Sequence, residues 1–384
     1  MVPLQICPMR IAIPSTFPPF RGGISQFNEA LKSALEEAGH EVVAVTWSGR
    51  TAELLFPGGL HIDLELPARY EGELDWLRPA SWRRVGRELA ALEVDWVVVP
   101  FWHAALAPAL SGTVRAWKKH SKSASARAIA LVHNAGSDQT AWWDVELTKR
   151  FLRSVDGAWT LSEGVTERLA ELKPDLACQT LFHPLYDHFP NLMQAEEAKA
   201  KLHLPVNARV LLYFGSIRPH KGLEVLLDAF SRLNSPPERP LHLLIAGACS
   251  GDWEPYERLI EAHPARARIQ THERFISDRE VGLFFGAADA VALPYRRASQ
   301  NGVAAVALHY GKPIVASDVG GLSECILPGQ TGELALPNGA NSLAEALRRA
   351  LSSTYPSESF RAARDRFSWS AFVAQATAGA SPLR

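Results

Sequence analysis

Several things are scarce in this chain of 384 residues, and each absence removes a class of function. Charge of one sign is missing: forty basic side chains face forty-one acidic ones, a formal net charge of −1. That balance gives no general attraction for nucleic acid. Cysteine is sparse and scattered, at Cys7, Cys178, Cys249 and Cys325, with no paired spacing of the kind metal and redox motifs use. So few cysteines in so long a chain fit a reducing cytoplasm. The N-terminus, "MVPLQICPMRIAIP", is interrupted by Pro3 and Pro8 and does not read as a signal peptide. One uncharged run, Trp96 to Val114, reaches spanning length but contains His103, Pro100, Pro108 and Gly112. A buried strand, a turn and a short helix explain it better than a membrane span.

What is present is a repeated pattern. "RIAIPS" is a short β-type run, and "TFPPFRGG" a loop. Ile24, Phe27, Leu31, Leu35 and Ala38 then fall on one helical face, with Gly39 where a C-terminal cap belongs. "EVVAVTW" is the next strand, so about forty residues make a βαβ unit of the kind that builds a parallel sheet. "WVVVPF" and "AIALVHN" are later strands. The pattern restarts with "RVLLYFGSI", "LEVLLDAFSRL" and "LHLLIAGAC", and continues through "AVALPY", "VAAVALHY", "KPIVASD" and "NSLAEALRRALS". Ser277 and Glu280, three apart, mark a helix start by their capping-box spacing. The expected architecture is two doubly wound α/β domains, 1–186 and 209–365, joined through an interdomain region at 187–208. Residues 366–384 form a last helix returning to the first domain. Ligands are expected at the carboxyl ends of the strands, in a cleft between the domains.

Three glycine-bearing loops follow strand ends and precede helices. "PPFRGGIS" places Gly22 and Gly23 at a helix N-terminus, where exposed N–H groups and the helix dipole favour phosphate. "FGSIRPHKG" brings Gly215, Arg218, His220 and Lys221 to one bend, offering a bidentate fork and a mobile point charge to a diphosphate. "YRRASQNGV" sets Ser299, Gln300, Asn301 and Gly302 at another helix start. Each alone reads equally well as a surface turn. Their common position after strand ends is what suggests one anion-binding cleft.

The second half resembles the retaining, nucleotide-sugar-dependent glycosyltransferases of the GT-B fold, known as group 1 or family 4. The resemblance lies in "FGSIRPHKG", "FISDREVGLFFGAADAVALPY", "SQNGVAAVALHYGKPIVASDVGGLSE" and "TGELALP", in order and spacing. "GGISQFNEAL", "LVHN" and "HPLYD" match the first half and the linker more loosely. The resemblance implies two Rossmann-like domains and transfer of a sugar from a nucleoside-diphosphate sugar to a glycan, lipid-linked or small-molecule acceptor. It implies that Arg218 and Lys221 bind the donor diphosphate and stabilise the departing nucleotide. Ser299 to Gly302 would contact phosphates and sugar, Gly22 and Gly23 would close over the donor, and His133 would lie near the transferred sugar. No cofactor and no metal are implied. One departure stands out: the paired glutamates of many members are replaced by Ala298 and Val306, in an "SQ-x-G-V" variant. Glu324 is the candidate substitute for the ribose contact. The residues leave open a sugar phosphorylase or nucleotide-sugar epimerase of the same fold, and a non-catalytic nucleotide-sugar-binding module in a glycan-assembly complex. Trp142 and Trp143 are candidates for an acceptor groove or for core packing. "RAWKKHSKSASAR", residues 115–127, is a basic run that reads as a solvated face or as a peripheral contact with an anionic membrane.

Overall fold

The structure, a computed structural model, describes residues 8–20, 22–48, 72–123, 125–135, 142–185, 189–298 and 302–378. Its contacts divide the chain into two units, one running to Phe182 and resuming at Trp369, the other His183–Ser368.

In the first unit the order is β1 (Arg10–Pro14), α1 (Gly23–Glu37), β2 (Glu41–Trp47), β3 (Gly72–Leu74), α2 (Pro79–Ala91) and β4 (Trp96–Phe101). Then come α3 (Ala107–His120), β5 (Arg127–Val132), α4 (Trp142–Leu152), β6 (Gly157–Thr160), α5 (Glu163–Leu172) and β7 (Ala177–Thr180). Among the described residues the strands form one parallel sheet, ordered β3-β2-β1-β4-β5-β6-β7. Alternate residues of the central strands enter separate cores because side chains on a strand point to opposite faces. Val97, Val99 and Phe101 pack with Val85, Leu89, Val114 and Trp117 of α2 and α3. Ile11, Ile13, Val98 and Leu131 pack with Phe27, Leu31 and Leu35 of α1. That second core also holds Trp369, Phe372 and Val373, so the last helix of the chain completes the first unit. The Phe27 ring meets those of Trp369 and Phe372 edge-on at 5.0 and 6.3 Å.

The uncharged run from Trp96 divides into β4, a 3₁₀ turn (Ala104–Leu106) and α3, and among the described residues no helix is long and apolar enough to cross a membrane. Residues α2 and α3 approach closely at two glycines. A Cβ on Gly86 would lie 2.6 Å from both Ala116 Cβ and the Thr113 carbonyl, and one on Gly112 would lie 2.6 Å from the Trp82 ring.

The second unit runs α6 (Ala195–Lys201), β8 (Arg209–Phe214), α7 (Leu223–Ser231), β9 (Leu241–Ala246), α8 (Glu254–Glu261), β10 (Ile269–His272) and α9 (Asp278–Ala287). It continues with β11 (Ala290–Leu293), α10 (Gly302–His309), β12 (Ile314–Ser317), β13 (Gly332–Ala335), α11 (Ala340–Ser352) and α12 (Ser357–Arg366); the final helix, α13 (Trp369–Ala378), belongs to the first unit. Its sheet is also parallel, ordered β10-β9-β8-β11-β12-β13. Both units are therefore doubly wound α/β layers, as the alternating strand and helix pattern leads one to expect. The capping box forms: Ser277 N–H donates to Glu280 Oε2 at 3.1 Å, and a hydrogen bond from Arg274 draws the Glu280 carboxyl down to about 2. The described part of 187–208 packs within this second unit. The Met193 N–H donates to Gly282 O, the Tyr310 hydroxyl to Pro190 O, and the buried Lys199 ammonium to Ala208 O.

Candidate functional site

In a doubly wound sheet the strand order reverses beside the first strand, and the loops leaving that point bracket an open crevice at the carboxyl ends. In the second unit the reversal falls between β8 and β11. Three loops meet there. Gly215, with φ +95°, follows β8, and the residue after β9, Gly247, lies so close that its Cβ would sit 2.0 Å from Gly215 O. Gly222, in the left-handed region at φ +65°, ends the 3₁₀ turn Pro219–Lys221 and caps α7. A Cβ there would fall 2.1 Å from the Pro294 carbonyl oxygen, beyond β11. The Arg296 N–H donates to His220 O at 2.8 Å, and the Arg296 side chain pairs with Glu224 in the first turn of α7.

Within this frame the cationic residues separate by environment. Arg218 is exposed, and its Nε donates to Ser216 Oγ and Ser250 Oγ, both at 3.3 Å. Lys221 turns inward. Its Nζ lies 3.8 Å from where a Gly215 Cβ would be and 5.2 Å from the centre of the Tyr295 ring. Burial, with a smaller contribution from Arg218, lowers this ammonium to about 8. No carboxylate forms a salt bridge with Lys221 among the described residues. Burial also lowers His220, and Lys221, Arg218 and Arg297 add to the effect. A half-buried ammonium beside the Arg218 guanidinium carries a desolvation cost that an anion would offset.

The site gathers Gly215, Arg218, His220 and Lys221, and it brings α10 to them, because Val303 Cγ2 lies 3.2 Å from a Gly215 Cβ position. Gly302 begins that helix. Ser299, Gln300 and Asn301 lie outside the described residues. Glu324 is exposed in the 3₁₀ turn Gly320–Cys325, which follows β12, the strand next to β11. Val306, on α10, is buried. The reading of the sequence missed the tie between Arg296 and Glu224. The adjacent arginines at 296 and 297 after β11 were its only signal.

The other candidates sit in the first unit, again at strand ends. His133 follows β5, is 7% exposed, and donates its N–H to Phe101 O at 2.9 Å. Its ring meets Phe27 of α1 edge-on at 4.7 Å. Gly22 caps α1 at φ +118°, and Gly23 opens the helix, so these residues and His133 share one end of the sheet. Asn28, buried on α1, donates to Ser15 Oγ at 2.9 Å and to Thr16 O at 2.8 Å. Trp142 and Trp143 start α4 at 81% and 45% exposure, so neither is a core residue.

Comparison with known proteins adds the following. Residues 194–366 match the family model described as "Glycosyl transferases group 1". A D-inositol 3-phosphate glycosyltransferase from Jonesia denitrificans is 32% identical over 219 residues, covering 55% of this chain and 50% of that protein. The chain thus spans about half the length of that relative, and less of a Corynebacterium urealyticum protein of the same name. The crystal structure of Anabaena Alr3699/HepE in complex with UDP and glucose shares 16% identity with a TM-score of 0.73, covering 98% of this chain and 100% of that one. Sucrose-phosphate synthase from Thermosynechococcus elongatus shares 20% identity with a TM-score of 0.68, covering 96% and 98%. At these identities the likeness is one of fold, the two-unit Rossmann-like α/β fold called GT-B.

Proposed function

We propose, from the match of residues 194–366 to the group 1 glycosyl transferases, that the chain moves a sugar from a nucleoside-diphosphate sugar to an acceptor hydroxyl, with retention of configuration. The observation that carries this reading is Lys221: a half-buried ammonium that forms no salt bridge with a carboxylate among the described residues, at the crevice where a parallel sheet reverses its order. A diphosphate supplies the missing negative charge. Arg218, exposed beside it, offers the second cationic contact.

Negative charge on the leaving diphosphate is greater in the transition state than in the bound donor. Preorganised cations therefore stabilise the transition state more than the ground state. In a retaining transfer the acceptor oxygen approaches C1 on the face the phosphate leaves. The bond from C1 to the phosphate oxygen breaks as that to the acceptor forms, and the acceptor proton passes to the departing phosphate. Two cations at the diphosphate do the work a metal ion does elsewhere, so the proposal invokes none. The same reading extends to Gly302 and the 299–301 loop as donor contacts, to Glu324 for the ribose, and to Gly22, Gly23 and His133 of the first unit. The acceptor is a glycan, a lipid-linked sugar or a small molecule.

A panel of UDP, GDP, ADP and dTDP with their sugars, read by thermal shift, tests the site. A ligand at about 100 times its dissociation constant adds roughly 2.7 kcal/mol of stability. No shift with any member ends the reading. The apolar residues at 298 and 306 favour a second reading, nucleotide-sugar binding without turnover. Stabilisation by a donor with neither transfer nor slow hydrolysis of that donor would select it.

A further inference from the structure

The basic run at 115–127 does not act as one surface. Lys118 turns to pair with Asp156, and Arg127 begins β5. Arg115, Lys119 and His120 instead face across α3 to α2, where Arg83 and Arg87 meet them over a groove of about 540 Å³. Arg83 and Arg87 are four apart on α2, as Arg115 and Lys119 are on α3, so each pair lies on one helical face. The close contact of the helices at Gly86 and Gly112 sets the two cationic rows side by side. Pro79 and Trp82 complete the wall, and among the described residues no acidic one lines the groove. Arg83, Arg87, Arg115 and Lys119 are exposed, and among the described residues none forms a salt bridge with a carboxylate. The nearest acid on α2, Glu88, is held by Arg84.

We propose that this groove is a landing surface for the phosphates of an anionic lipid bilayer. A small soluble anion needs buried, preorganised donors to repay its own ordering, and these cations are on long, exposed side chains. A bilayer imposes no such demand, since it presents many phosphates at once to charges that need only be near. Each cation then contributes about fivefold to partitioning. The inference concerns the first unit and stands independently of the donor site in the second.

Co-sedimentation of the full chain with vesicles tests it. Binding is expected to phosphatidylcholine vesicles containing about one third phosphatidylserine, and not to pure phosphatidylcholine. It should vanish near 1 M salt, where the Debye length shrinks to about 3 Å. Arg83→Glu with Arg115→Glu should weaken it by at least about 25-fold, from two losses of about fivefold each. Reversal of Lys201 and Arg258 in the second unit should leave it unchanged. Both groove side chains are exposed, so melting curves should match the parent, and the salt series needs no variant at all. Equal binding by the groove variant, or equal binding to neutral vesicles, overturns the proposal. So does competition by millimolar inorganic phosphate or glycerophosphoserine, which would make the groove a small-anion site. Tighter binding to a nucleic-acid duplex than to the vesicles overturns it as well.

Discussion

At the end of β1, Asn28 of α1 reaches back to Ser15 and Thr16 with neutral hydrogen bonds. At the end of β8, the same position in the second sheet is held open by Gly215 and faced by the Lys221 ammonium. Both units use a parallel sheet, both reverse strand order beside their first strand, and both send a loop into a helix there. The scaffold provides a crevice in each case. What it holds depends on a handful of side chains, which is why a fold alone does not assign a function. In the first unit the Asn28 amide donates to two neutral partners, whereas in the second the Lys221 ammonium forms no salt bridge with a carboxylate among the described residues. That is a cost in the empty protein, and it makes sense as preparation for a ligand.

The strongest test removes that cost. Lys221→Ala should lower sugar transfer by about a hundred- to a thousandfold, the usual loss when one preorganised donor to a developing anion is deleted. Without ligand, the variant should melt a few degrees higher than the parent, because a half-buried ammonium with no carboxylate salt bridge among the described residues opposes folding. A variant that loses both activity and stability would make Lys221 a structural residue. Arg218→Ala should weaken binding of the nucleoside diphosphate by about 10- to 150-fold, the range of 1.5 to 3 kcal/mol for an ionic hydrogen bond. Its melting should stay unchanged, since the side chain is exposed and its hydrogen bonds among the described residues go to two serines.

The glycines sharpen the comparison in another way. Gly222→Ala meets two penalties, a left-handed backbone and the Pro294 oxygen 2.1 Å away. Gly22→Ala meets only the backbone one, because among the described residues nothing lies within 4 Å of its Cβ position. The first should exceed about 3 kcal/mol and cost donor binding, and the second should stay within about 1 to 3 kcal/mol. Equal losses in denaturant titrations would mean that the contact between the β8 and β11 loops does not constrain the site.

Much of this was legible in the sequence wherever one element carries its own signal. The β-branched runs at Glu41–Trp47 and Trp96–Phe101 coincide with β2 and β4, and the spacing of Ser277 and Glu280 places the start of α9. Proximity along the chain also gathered Arg218, His220 and Lys221. What could not be read was anything decided between elements. Asn28 falls on the apolar face of α1, one turn after Ile24, but the sequence does not show that Ser15 and Thr16 of the preceding loop accept its hydrogen bonds. Lys118 and Lys119 are adjacent in sequence but separated by a helical turn's rotation, so one pairs with Asp156 and the other faces Arg83 and Arg87. The glycines that let α2 and α3 touch carry no periodic signal at all.

Acid–base behaviour gives a smaller, graded effect. Lys221 loses its proton at about 8 in the folded chain and at 10.5 in the unfolded one. Between those values the unfolded state binds more protons, so stability of the empty protein should rise with pH across that window. Affinity for a nucleoside diphosphate should move the other way, falling above about pH 8 as the ammonium is neutralised. Calorimetry in buffers of different ionisation heat should show proton uptake on binding near pH 8. A flat profile would remove Lys221 from the anion site.

The smallest effect is expected at His220, although it sits between the two cations that matter. Burial and then the charges of Lys221, Arg218 and Arg297 lower its imidazole below the ordinary value of 6.5. At pH 7 it is therefore neutral, and a neutral ring adds little to an anion that Arg218 and the still protonated Lys221 already hold. Its structural tie, acceptance of the Arg296 N–H, is made by the backbone oxygen and survives replacement of the side chain. His220→Ala should thus change diphosphate affinity by less than about threefold at pH 7, within the range of a minor contact. Bound diphosphate favours the protonated ring, so the parent should gain over the variant as pH falls below 6. The measurement is the ratio of the two dissociation constants between pH 5 and 8. A ratio that is large at pH 7 and constant below it would assign His220 a direct neutral hydrogen bond to the ligand, and the division of labour drawn here between Lys221, Arg218 and His220 would fail.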